Sequence, residues 1–249
     1  MLFGKKPEYT LFKSSRRRTS TVFIVAKFIL IAFIVYELIT GLFIFNVAVG
    51  SDLMVPLMQK NNKLLIFKPA YKQHIFGNAI AIPGIGQPKR GDIVVYQQNF
   101  VRNYPWYLKP VNTVIRFFTF QKKELKTNYD YSSRVSVSRI VGIPGDIIKV
   151  ENNIAHIKLQ ESDNFVVEFE LIGNIYNINT SSFPEGWDSE NNPFYSNSDE
   201  VKIEEGYYFI MGDNREFYFD SRSSGLVPIE NITGKVVLRY WPFKGIDVF

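Results

Sequence analysis

The chain has 249 residues, 46% of them hydrophobic and 16% aromatic, which is ample apolar material for a core and too much for a disordered protein. Its net charge of +5 sits at one end: Lys5, Lys6, Lys13, Arg16, Arg17 and Arg18 against Glu8 account for all of it, and the rest of the chain is neutral. A basic tail on a neutral body argues against nucleic acid as a partner, which would need Lys and Arg clustered on the body. The absence of cysteine excludes disulfides, thiolate metal sites and a cysteine nucleophile.

Residues 1–20 form the basic tail, and residues 21–50 are expected to form one transmembrane helix. At about 1.5 Å per residue, residues 28–45 cover about 27 Å of a hydrocarbon core about 30 Å thick, and the flanks supply the rest. A cleaved signal peptide is the rival reading, but its apolar region spans only about 7 to 15 residues. The basic residues before the helix place the N-terminus in the cytoplasm and residues 51–249 across the membrane, so lipid is an expected partner. Two charges interrupt the span. Lys27 can snorkel to the interface, whereas Glu37 lies near mid-span, where a charge costs about 2.5 to 3.5 kcal/mol.

Beyond residue 50 the pattern changes to short β-branched and apolar runs bounded by Gly, Pro and Asn. Residues 64–67, 93–96, 139–141, 147–150, 154–159, 165–171, 207–211 and 235–241 read as strands, so the body is expected to be mainly β. Asn152-Asn153 suits a two-residue hairpin turn, because Asn tolerates the left-handed conformation. Two inserts interrupt this pattern. Residues 97–137 mix Trp106, Tyr107, Phe117, Phe118 and Phe120 with Arg116, Lys122, Lys123 and Lys126, a composition suited to a lipid interface or to a core. Residues 177–200 read as a long polar surface loop. His74 and His156 have no metal-ligand spacing, and neither a metal nor a cofactor is expected.

Four segments then stand out in order: Ser51-Asp52-Leu53-Met54-Val55-Pro56; Arg90-Gly91-Asp92-Ile93-Val94-Val95; Ser138-Arg139-Ile140-Val141-Gly142-Ile143-Pro144-Gly145-Asp146; and Gly212-Asp213-Asn214-Arg215 running on to Asp220-Ser221-Arg222. Together, behind an N-terminal anchor, they resemble the bacterial type I signal peptidases. The resemblance implies a mostly antiparallel β-sheet fold after one transmembrane helix, anchored in the bacterial cytoplasmic membrane. It also implies a serine endopeptidase that removes signal peptides from exported preproteins with a Ser-Lys dyad. In such a dyad a buried, neutral lysine takes the serine proton, and an oxyanion hole holds the developing charge.

Carried over residue by residue, the resemblance puts Leu53 at the nucleophile position, Ser138 at the general-base position and Tyr218 at the position that orients the base. All three are substituted. Ser51 matches the hydroxyl that assists the oxyanion hole, Asp220 and Arg222 match an ion pair under the active site, and Met54, Pro56 and Arg139 match scaffold positions. Ser51 is expected to point away from Leu53, and Lys60 and Lys63 to be solvated. The expected function is a membrane-anchored, inactive signal peptidase I-like protein that binds signal peptides, exported polypeptides, an active paralogue or translocation machinery. An active peptidase with an atypical constellation is the alternative.

Overall fold

The computed structural model describes residues 10–71, 73–75, 80–97, 108–119, 135–172, 176–180, 198–217 and 219–249. Two compact units emerge, one comprising Met1–Leu42 with Tyr107–Leu125, the other Phe43–Trp106 with Lys126–Phe249.

The first unit is helical. Helix α1 covers Thr10–Leu42, and within it Thr21–Thr40 is long and apolar enough to cross a membrane. Helix α2, Leu108–Phe118, occupies part of the first insert. The sequence pattern carries the helix to residue 50, but α1 stops at Leu42 and residues Ile44–Ala48 form strand β1. An apolar run reads equally well as helix or strand. Here the decision falls to strand β2, Lys63–Phe67, which pairs antiparallel with β1 from Ile44↔Phe67 to Ala48↔Lys63.

The second unit is built on antiparallel strands. A two-stranded ribbon joins β3, Gln73–Ile75, to β4, Ile80–Ile82, neither of which the sequence pattern singled out. Strands β5 (Ile93–Gln97), β6 (Val135–Gly142), β7 (Ile147–Glu151), β8 (Ile154–Lys158) and β9 (Phe165–Val167) follow. After α3, Glu168–Leu171, come β10 (Ser198–Lys202), β11 (Tyr207–Met211), α4 (Ser221–Ser224), β12 (Val227–Pro228), β13 (Ile232–Trp241) and β14 (Asp247–Val248). The larger sheet runs β1-β2-β13-β5-β6-β11-β12, with β14 added on β13, and the smaller runs β10-β7-β8-β9.

Two expectations need correction. Residues 165–171 are not one strand: the chain leaves β9 at Val167 and turns into α3, which draws the Glu168 carboxylate inward. The second insert is not all loop, because its last residues open β10, which pairs with β7 across a register shift. The hairpin at Asn152-Asn153 is as the sequence predicts, with φ of 50° and 65°.

The larger sheet is covered on both faces. Alternation along β5 sends Ile93 and Val95 into one cluster with Met54, Met58, Leu64 and Val137. It sends Val94 and Tyr96 into another with Ile140, Tyr208 and Ile210. A third cluster joins the smaller sheet to β11 through Ile148, Ile157, Phe209 and Met211. At the start of β5, Asp92 gathers three donors: the Tyr71 hydroxyl at 2.7 Å, Lys235 Nζ at 2.7 Å and the Lys89 backbone N–H at 3.0 Å.

Burial, reinforced by the Asp92 charge, pushes the Tyr71 phenol far above its ordinary value. Because the folded-state pKa is raised, the stability tied to the neutral phenol is intact below the unfolded value and is lost as pH climbs above it. Tyr71→Phe is therefore expected to cost about 1.5 kcal/mol or more at neutral pH through the lost bond to a carboxylate. It should also flatten the alkaline decline in stability. Urea unfolding of the detergent-solubilised chain at neutral and strongly alkaline pH measures both effects.

Candidate functional site

Residues 51–58 are a compact loop closed at its base, where the Val49 N–H donates to the Asn62 carbonyl at 2.8 Å and the Asn61 N–H donates to that of Val49 at 2.9 Å. Inside it, the Met58 N–H donates to the Met54 carbonyl at 2.8 Å and the Val55 N–H to that of Asp52 at 3.2 Å. The loop is thus a series of hydrogen-bonded turns and not an extended segment. Met54 and Met58 are fully buried, whereas Ser51 and Pro56 are exposed. Ser51 and Leu53 do face different surroundings, as expected, but the reason is the turn geometry: in an extended segment residues two apart would share a face.

Leu53 is buried, with 2% of its surface exposed. Its carbonyl accepts the Asn214 N–H at 2.9 Å, and the Asp52 carbonyl accepts Asn214 Nδ2 at 3.1 Å. The loop is therefore clamped onto the segment after β11. Gly212 makes this approach possible: a Cβ there would lie 2.5 Å from Leu53 Cδ1 and 2.6 Å from the Leu53 carbonyl oxygen.

Ser138 lies on β6 opposite Val94, and the next residue, Arg139, is opposite Met211. Strand alternation puts Ser138 on the face of Val94 and Ile140. The pairing of β6 with β11 ends at Arg139↔Met211, one residue short of Ser138 and of Gly212, the residue against which Leu53 lies. Ser138 is fully buried, and its hydroxyl has no hydrogen-bond partner among the described residues, an arrangement that costs about 1 to 3 kcal/mol. On the same face the Tyr96 hydroxyl donates to the Phe219 carbonyl at 2.8 Å. Tyr218, the third position singled out by the sequence, falls outside the described residues.

Three guanidinium groups fix the floor behind this contact. Arg139 donates to both Asp213 carboxylate oxygens, at 2.8 and 2.6 Å, and to the Gly91 carbonyl at 3.1 Å, and lies 4.1 Å from the Tyr176 ring centre. Arg215 donates to Glu168 Oε1 at 2.6 Å and Oε2 at 2.9 Å, to the Asn153 carbonyl at 2.6 Å and to the Gly212 carbonyl at 3.0 Å. Arg222 donates to Asp220 at 2.9 and 2.8 Å and to the Arg215 carbonyl at 2.8 Å, while Asp220 also accepts the Gly212 N–H at 3.0 Å. The Asp220–Arg222 side chains are wholly buried.

The electrostatics follow from this burial. Burial raises the Asp213 carboxyl above its ordinary value, an effect that Arg139 opposes without cancelling. For Arg215 burial works against the charge, and the Glu168 carboxylate outweighs it, so the guanidinium is held charged more firmly than usual. Burial, aided by Glu168, also pushes the Tyr176 phenol up.

Of the residues singled out in sequence, Leu53, Met54, Ser138, Arg139, Asp220 and Arg222 have buried side chains, while Ser51 and Pro56 lie at the surface. Lys60 and Lys63 are exposed. Glu168 and Tyr176 escaped sequence reasoning because no local motif marks a lone carboxylate or phenol whose partner lies 47 or 39 positions away. Arg215 and Asp213 were visible as part of a motif, but not their partners. His156 sits 3.7 Å from Glu151 at the surface hairpin, and no group of three His, Asp or Glu residues suited to a metal forms among the described residues.

Glu168→Ala should strand the Arg215 charge in the interior and cost about 3 to 5 kcal/mol in chemical unfolding. Gly212→Ala should displace the 51–58 loop and cost about 1 to 3 kcal/mol. Leu53→Ala in the same chain should not restore that loss, since the Leu53 backbone oxygen still collides with the new methyl group. Unfolding of the single and double variants separates side-chain from backbone collision.

A family model described as signal peptidase, peptidase S26, matches residues 22–241. The chain is 28% identical to signal peptidase I of Bacillus caldolyticus over 208 residues, covering 82% of this chain and 83% of that one. It is 32% identical to signal peptidase IB of Staphylococcus aureus over 108 residues, 43% of this chain and 54% of the relative. A solved signal peptidase I from Enterococcus faecalis aligns over 62% of this chain and all of its own, at 16% identity and a TM-score of 0.31.

Proposed function

Because this chain belongs to the signal peptidase family, peptidase S26, we propose that it is a membrane-anchored member that binds signal peptides or exported polypeptides without cleaving them. The observation that carries this reading is Leu53. The residue directly before Met54-Val55-Pro56 has no nucleophilic atom, and its side chain is buried against Gly212 where an acyl intermediate would need a serine oxygen. Ser138 adds to it, because a hydroxyl cannot replace a lysine amine as general base.

The walls of the site are intact although its chemistry is not. The 51–58 loop is hydrogen-bonded to Asn214, and the turn from Gly212 to Arg222 is held by three buried charge pairs. An extended polypeptide can be recognised through backbone hydrogen bonds, which need neither nucleophile nor base. The basic residues that precede the span support an N-terminus in the cytoplasm and a body on the opposite face of the bacterial cytoplasmic membrane, within reach of exported chains.

The test compares the detergent-purified chain with a Leu53→Ser, Ser138→Lys, Tyr218→Ser variant on a signal-peptide substrate. The unmodified chain is expected to crosslink a photoreactive signal peptide near Ser51 and Met54 and to leave it uncleaved. Cleavage by the unmodified chain would overturn the inactive reading, and absence of crosslinking the binding reading. Gain of cleavage in the triple variant supports the assigned positions. Losing Leu53 should cost about 2 to 5 kcal/mol, so the variant is also checked for folding.

A further inference from the structure

We propose that helix α2, Leu108–Phe118, is a second membrane element, inserted among the acyl chains of the leaflet at the C-terminal end of the α1 span. This rests on the span itself being membrane-embedded, but not on whether the chain cleaves peptides.

The first observation is a stripe on α1. Its apolar segment is exposed almost everywhere, yet Phe33, Tyr36, Glu37 and Thr40 are each partly covered. Their spacing of three, four and seven residues is one face of a helix. Phe117 of α2 packs on two residues of that face, its ring meeting Phe33 and Tyr36 edge-on with centroids 5.1 Å apart in each case. Glu37, itself partly covered, lies on the same face of α1.

The second observation is depth. Tyr36 and Phe33 lie about 6 Å and about 10 Å inside the end of the span at Thr40, taking about 1.5 Å per residue. A helix whose Phe117 packs against both rings is therefore below the headgroup level. The third observation is what α2 leaves uncovered. Val111, Val114 and Phe118, at 48%, 43% and 66% exposure, form an apolar stripe adjoining Phe117. An aqueous setting would penalise that stripe, whereas acyl chains cover it and the exposed flanks of α1 alike. The apolar surface of α2 is thus continuous with the lipid-facing surface of the span.

The absence of cysteine gives a clean experiment. Single nitroxide labels are placed by Val114→Cys and Phe118→Cys in the full chain reconstituted in phosphatidylcholine–phosphatidylglycerol vesicles. Val35→Cys serves as a lipid-facing reference and Glu205→Cys as a polar, exposed one. Labels at 114 and 118 should match 35: accessible to oxygen and several-fold less accessible than 205 to a water-soluble nickel chelate. Nickel accessibility equal to that at 205 overturns the proposal, and so does protection from both reagents, which would mean a protein partner or a second copy over α2.

Should the labelled variants fold poorly, the unmodified chain is photolabelled with a diazirine lipid. Adducts are expected within residues 111–118 as well as 21–40. Adducts confined to 21–40 overturn the insertion.

Discussion

A guanidinium with 1% of its side chain exposed, paired through two oxygens with a carboxylate that is wholly buried, is the contact on which the body's arrangement depends. Arg215 comes from the turn after β11 and Glu168 from the turn after β9, so the pair ties the end of the larger sheet to the smaller one. The Ala155 N–H and the Tyr176 hydroxyl complete the carboxylate, and the carbonyls of Asn153 and Gly212 take remaining guanidinium donors. An incompletely partnered charge here would be costly, so satisfying it dictates where four separate segments must lie.

Geometry spreads outward from that pair. Arg215 holds the Gly212 carbonyl and Asp220 the Gly212 N–H, fixing the one residue small enough to let the 51–58 loop sit down on the sheet. Arg139, one position from Ser138, is immobilised by Asp213. The arrangement around Gly212 is therefore held by buried charge pairs in which neither Leu53 nor Ser138 takes part. Leu53 and Ser138 are both buried beside segments that the carboxylate and guanidinium pairs hold in place.

Ser138 is the exception to economical packing. Its buried hydroxyl has no hydrogen-bond partner among the described residues, so the oxygen is desolvated without a compensating bond. In the helical unit Glu37 is only partly covered, on the face of α1 that also carries Phe33 and Tyr36, the two rings that Phe117 of α2 meets.

What the sequence determined by itself was whatever is encoded in composition and short spacing. The basic tail, the apolar span, the Asn152-Asn153 turn, most strands and the four ordered motifs could be read directly. The tertiary structure alone decided where α1 gives way to β1, since an apolar run fits helix or strand until β2 supplies a partner. It also decided that residues 168–171 turn inward, that Glu168 and Tyr176 meet Arg215, and that Leu53 lies on Gly212. Those contacts join residues tens to more than a hundred positions apart. No local period marks them, because the free energy that selects them, the burial of charge with its full set of partners, exists only once the chain has closed on itself.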